Sequence, residues 1–151
     1  MSIKSIIITL LVAMVPVIEL RGALPIGVGL GLSPLLAAAI SIIGNLIPIP
    51  FLLALVPKIF DLLRDKKLTK KIIAWLEQKA AKHQSVIDKY GYLGLIILVA
   101  IPLPGTGAWT GALVSSCLRM KKRRSFIAIT IGVIIAAAIV LSITYGITAL
   151  L

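Results

Sequence analysis

Two charged residues stand in an otherwise apolar stretch, Glu19 and Arg21, bracketed by Pro16 and Pro25. From Gly22 to Pro57 the chain carries no charge. A charge at mid-membrane costs roughly 2.5–3.5 kcal/mol on insertion scales, so an ionisable residue kept there is a functional candidate by default. Two residues apart, the side chains diverge on a helix and share a face in extended chain. The prolines predict an unwound break from Pro16 to Pro25. There the two could pair, or Arg21 could hold an anionic substrate while Glu19 cycles a proton. A structural ion pair that merely orients the segment is the plainer alternative.

A second candidate has no charge. Pro102-Leu103-Pro104-Gly105-Thr106-Gly107 interrupts an apolar run and frees backbone amides and carbonyls. Such backbone is tolerated at membrane depth only when buried in protein or lining a wet cavity. A half-helix opening near Thr106 would point its positive end at that cavity. Thr106, Thr110 and Asn45 could add hydroxyl or amide contacts, and Trp109 could pack or form an aromatic wall. Discontinuous helices meeting at the midplane are the usual way secondary transporters build a site. Glu19, Arg21, Asn45, Thr106 and Trp109 are thus the expected substrate or ion ligands. Gly22, Pro25, Pro102, Pro104, Gly105 and Gly107 are the expected shapers of the two breaks.

Other chemistries are poorly provided for. There is one histidine, His83, and one cysteine, Cys117, so neither an intrachain disulfide nor a His/Cys metal cluster is expected. No phosphate-binding loop is present, and no nucleophile–base constellation, so the expectation is a non-enzyme without cofactor. The 16 Lys+Arg against 5 Asp+Glu, formally +11, would suggest nucleic acid in a soluble chain. Here they fall in blocks between apolar runs, without interleaved aromatics, as the positive-inside bias of a membrane protein predicts.

What must position these residues is a set of membrane helices. Sixty per cent of 151 residues are hydrophobic and 14% charged, with mean hydropathy +1.12. A chain this short buries only about two-thirds of its surface and cannot hide so much apolar area. Residues 35–56 and 126–150 are long enough to span. The first is punctuated by Gly44, Asn45, Pro48 and Pro50, which predicts a kink or partial unwinding. Tyr90–Leu118 is an uncharged run of 29 residues flanked by two blocks of net +5 each. A crossing helix would strand one block on the wrong side, so a re-entrant hairpin over 90–118 is expected. Its half-helices of about eleven residues would reach about 16 Å, roughly half the hydrocarbon thickness. Residues 5–32 share this grammar and are expected to form a second hairpin from the opposite face. The apolar run after Lys4 mimics a signal peptide, but no small-x-small site precedes Pro16, so it is expected to stay in the mature chain.

Small residues recur after each break at four-residue spacing: Ala23, Gly27, Gly31, then Gly107, Gly111, Ser115, the sets offset by 84. Such stripes let helices approach closely. The fold expected is therefore an all-α integral membrane protein, an inverted repeat of re-entrant hairpin plus transmembrane helix (1–57 and 90–151). The basic segment 58–89 between the halves is expected to be an amphipathic cytoplasmic helix. Leu68, Ile72, Leu76 and Ala80 form its stripe, with Ile73 beside it, and Trp75 at headgroup level. His83 is expected to be a solvated surface residue. Ser85-Val86-Ile87-Asp88 has the form of a capping box opening the next helix. The topology puts 58–89 and 119–124 in the cytoplasm and both termini outside a multi-pass cell-membrane protein. A bundle this thin would expose polar tips to lipid, so a homodimer is expected.

Glu19-Leu-Arg-Gly-Ala-Leu-Pro25, Gly44-Asn45-Leu-Ile-Pro48 and Ile101-Pro-Leu-Pro-Gly-Thr-Gly-Ala-Trp109 resemble the small multidrug export protein family. That family looks distantly similar to the DedA/VTT membrane proteins, to which two re-entrant hairpins are attributed. The resemblance implies that Glu19 and Arg21 are the first hairpin's charges and Pro102–Trp109 the second tip. DedA proteins keep essential arginines around the second hairpin, whereas this chain has Gly105-Thr106-Gly107, which argues against a phosphate-lipid substrate. The leading reading is a small ion-coupled exporter, driven by protons or sodium, of a small-molecule substrate. The alternatives are a DedA-like lipid-carrier flippase or scramblase, and a non-transporting membrane assembly or homeostasis factor.

Overall fold

A computed structural model describes residues 2–63 and 70–150. Among these the regular structure is helical: α1 (Ile3–Met14), α2 (Glu19–Gly29), α3 (Pro34–Leu46), α4 (Pro48–Leu63), α5 (Lys70–Tyr90), α6 (Tyr92–Ala100), α7 (Ala108–Cys117) and α8 (Lys122–Leu150). Leu68, one member of the expected amphipathic stripe, lies outside the described residues.

α1 and α2 form an antiparallel pair. The Ser5 hydroxyl near the start of α1 donates to the Leu30 carbonyl beyond the end of α2, at 3.1 Å. Thr9 and Ala37 press on Gly27, where a Cβ would come within 2.9 Å of Thr9 and 3.1 Å of Ala37. Gly44 of α3 lies against the α1 backbone at Leu10 and the methyl of Ala13. α6 and α7 form a second antiparallel pair: Gly111 meets Val99, and the Tyr92 hydroxyl accepts from the Lys121 amide at 3.1 Å. α8 packs on α6 and α7 and also reaches α2, α3 and α4, so it joins the two pairs.

Composition explains α8. One face buries Ala128, Ile129, Val133, Ala136, Ala137 and Val140, while Ile127, Ile131, Ile134, Ile135, Ile139 and Ile143 are exposed on the others. A helix apolar all round needs an apolar surround, lipid on the side without protein neighbours. Pro34–Leu63 and Lys122–Gly146 are both long and apolar enough to cross a membrane.

Four local expectations need correction. The first break is short: the chain leaves helical form only from Val15 to Ile18, and α2 runs through Pro25. Pro25 removes one amide, the partner of the Arg21 carbonyl, and the rest of the helix carries it. Pro48 and Pro50 interrupt their segment only at Ile47, between α3 and α4, rather than unwinding a stretch of it. They occupy the first turn of α4, where intrahelical amides are unneeded, and Ile47 between α3 and α4 keeps φ −54°, ψ −49°. The buried stripe of α5 is Ile73, Ala80 and Ile87, with Leu76 half-buried and Ile72 exposed, because α5 packs on α6 and α7 along its Ile73 side. Ser85 caps nothing: α5 continues to Tyr90, and the break is the single residue Gly91.

Candidate functional site

The two turns meet. Glu19 opens α2 with φ +49°, after Val17 at φ +81°, both unusual for residues with a Cβ. Its carboxylate is buried, 4% exposed, and crosses to the second pair. Oε1 accepts from the Trp109 amide at 3.0 Å and Oε2 from the Ala108 amide at 3.3 Å. These are the first amides of α7, which lack intrahelical acceptors, and a carboxylate at a helix N-terminus satisfies both them and the helix dipole.

Arg21 does the complementary work. Nη1 donates to the carbonyls of Leu103 and Thr106, both at 2.7 Å. Nη2 donates to the Ile101 carbonyl at 2.9 Å, the Thr106 hydroxyl at 2.9 Å and, more loosely, the Val99 carbonyl at 3.5 Å. The need for a donor follows from the sequence. Pro102 and Pro104 lack amides, so the carbonyls that end α6 find no continuing helix. Glu19 and Arg21 do not form an ion pair; among the described residues the ion pair is Asp61–Arg119, an exposed contact at 3.1 Å. On the first turn of a helix the two diverge, one to each end of the broken α6–α7 pair.

Gly107 permits the approach. It has φ +128°, and a Cβ there would collide with the Glu19 carboxylate. Thr106 closes the turn from within, its hydroxyl 2.8 Å from the carbonyls of Ile101 and Leu103, and Thr110 donates to Gly105 at 3.1 Å.

Beside this clamp lies a cavity of about 710 Å³. That is within the size of small-molecule sites. Of the residues singled out in the sequence, Glu19, Arg21, Pro102, Pro104, Gly105, Thr106, Trp109 and Thr110 line it. Asn45 and Gly107 do not; with Glu19, Arg21 and Val133 they line a closed seam with no room for a water molecule. Asn45 is buried there with its Oδ1 unpartnered, so it faces packing rather than the cavity. Ala23, Gly27 and Gly111 are packing positions. Gly31 is not: nothing lies near it, and it takes φ +86° just past the end of α2, with the Leu32 amide bonded back to Gly27. It is a helix stop. Ser115 lines a separate cavity of about 230 Å³. Gly22 sits on α2 against Ile18 and Pro25 is exposed on the same helix, both away from the cavity. His83 is half-buried on α5, and burial together with Lys82 lowers its pKa.

Sequence reasoning missed the far walls. α4 contributes Leu52, Val56, Ile59 and Phe60, and α5 contributes Trp75, Leu76 and Lys79. One signal was available, a lysine four residues after a tryptophan; Lys79 Nζ sits 5.0 Å from the Trp75 ring centroid.

An all-helical fold among the described residues, with two apolar helices long enough to cross a membrane, defines a class, small helical membrane proteins. Within it, residues 19–139 match the family described as "Putative small multi-drug export protein", and the chain belongs to that family. No curated protein and no solved structure matches the chain.

Proposed function

We propose that this protein is a small ion-coupled exporter and that the 710 Å³ cavity is its substrate site. The observation that carries the reading is the cavity's floor, built from the only opposite charges in the apolar part of the chain. Glu19 is the coupling group. Ionised, it holds the first amides of α7 by charge-assisted hydrogen bonds; protonated, it holds them weakly, and the α6–α7 turn loosens over the cavity. No bond in the substrate is made or broken.

Two re-entrant hairpins in an inverted repeat fit this reading. α1, α6 and α7 have 12, 9 and 10 residues, about 14–18 Å at 1.5 Å per residue, close to half a hydrocarbon core. The basic segments 58–89 and 119–124 then lie in the cytoplasm. A homodimer belongs to the same reading, since it would cover the polar turns.

The test is flux in proteoliposomes under an imposed pH gradient, with a fluorescent lipophilic probe. The wild-type protein moves the probe only with the gradient. Glu19→Gln, reconstituted at equal amount, loses at least tenfold of that flux. Full flux in the variant would overturn the proposal.

A further inference from the structure

The cavity is electrically lopsided. Three ionisable residues line it: Glu19, Arg21 and Lys79. Glu19 spends both oxygens on the amides of α7, and Arg21 spends its donors on neutral oxygens. The two charges also cancel the dipole ends that they cap, the C-terminal end of α6 and the N-terminal end of α7. What remains is Lys79. Among the described residues no carboxylate lies within ion-pair distance of it, and it sits over the ring of Trp75. The rest of the lining is mainly apolar and aromatic: Phe60, Trp75, Trp109 and Leu113 among others.

We infer that the substrate class of this site is the hydrophobic anion, a bulky apolar body bearing one negative charge, in preference to a lipophilic cation of the same shape. The inference rests on the transport reading of the cavity. An apolar body covers the aromatic walls, and its charge sits toward Lys79. A cation would give up its water beside Lys79, with the one carboxylate already bonded elsewhere.

Both tryptophans of the chain, Trp75 and Trp109, line the cavity, so intrinsic fluorescence reads occupancy directly. The probes are tetraphenylborate and tetraphenylphosphonium, matched in shape and opposite in charge. Each is titrated into the protein in phosphatidylcholine vesicles, with partition measured in protein-free vesicles and removed. The wild-type protein binds the borate at least tenfold more tightly. Lys79→Gln cuts that preference by about tenfold, on the order expected for one unit charge that acts with opposite sign on the two probes at roughly 10 Å in an effective dielectric near 40. Lys79→Glu, on the same amphipathic helix, reverses it. Equal or tighter binding of the phosphonium, or a preference unmoved in Lys79→Glu, overturns the inference and leaves the transport reading standing. Quenching by neither probe overturns both.

Discussion

The two helix pairs solve the problem of a broken helix in opposite ways. The α1–α2 turn is short, Val15 to Ile18, and closes on itself when the Glu19 amide donates to the Val15 carbonyl at 3.0 Å. The α6–α7 turn runs from Ile101 to Gly107, contains two prolines and has no charge of its own. Its loose carbonyls and amides are met instead by Arg21 and Glu19 of the first pair. One pair supplies charge and the other supplies unpaired backbone, and neither is complete without the other. The contrast also explains why the first turn holds strained residues: Val17 and Glu19 sit at positive φ so that the charges can aim across.

The contrast breaks most sharply at Gly107. Gly107→Ala combines an unfavourable φ with a collision against Glu19, and is expected to cost roughly 2–5 kcal/mol, read as loss of thermal stability in detergent together with loss of flux. Next is Arg21→Ala, expected to cost about 2–4 kcal/mol by stranding the Thr106 carbonyl and removing the charge-assisted bonds to Ile101 and Leu103, whose carbonyls keep only their bonds within the turn. Arg21→Lys recovers little in the same melt, since an ammonium cannot reproduce the guanidinium fork. Glu19→Ala is expected to cost about 1–2 kcal/mol as a lost cap; Glu19→Gln costs less because an acceptor remains. Gly31→Ala is the mildest in its effect on flux: it costs roughly 1–2 kcal/mol from the left-handed backbone alone and leaves flux unchanged, because nothing packs there. A Gly31 variant as damaging as the Gly107 variant would show that φ rather than the Glu19 contact governs both.

Much of this was legible in the residues. The apolar runs mark the helices, and the isolated charges and the proline-glycine string mark the two turns that meet. The extent of the first break was not legible, because a proline tolerated within α2 reads like a helix breaker when its neighbours are unknown. Asn45 illustrates a second limit. A buried amide in an apolar run signals a special position, but only packing decides whether it faces a cavity or a seam. The far walls were hidden for a related reason: α4 and α5 reach the site through tertiary packing, and half-exposed Leu, Ile and Phe on an amphipathic helix look alike whether they face lipid, protein or substrate. The α5 stripe differed from its four-residue pattern because the sequence offers two adjacent apolar faces, and contact with α6 and α7 selects the one through Ile73.

The claim that the first pair completes the second is tested most directly by amide hydrogen exchange of residues 106–111 in the wild-type protein and in Glu19→Ala. Protection at Ala108 and Trp109 should fall at least tenfold in the variant, while the amides of α6 from Leu95 to Val99 keep theirs. Unchanged protection at Ala108 and Trp109 would contradict the account.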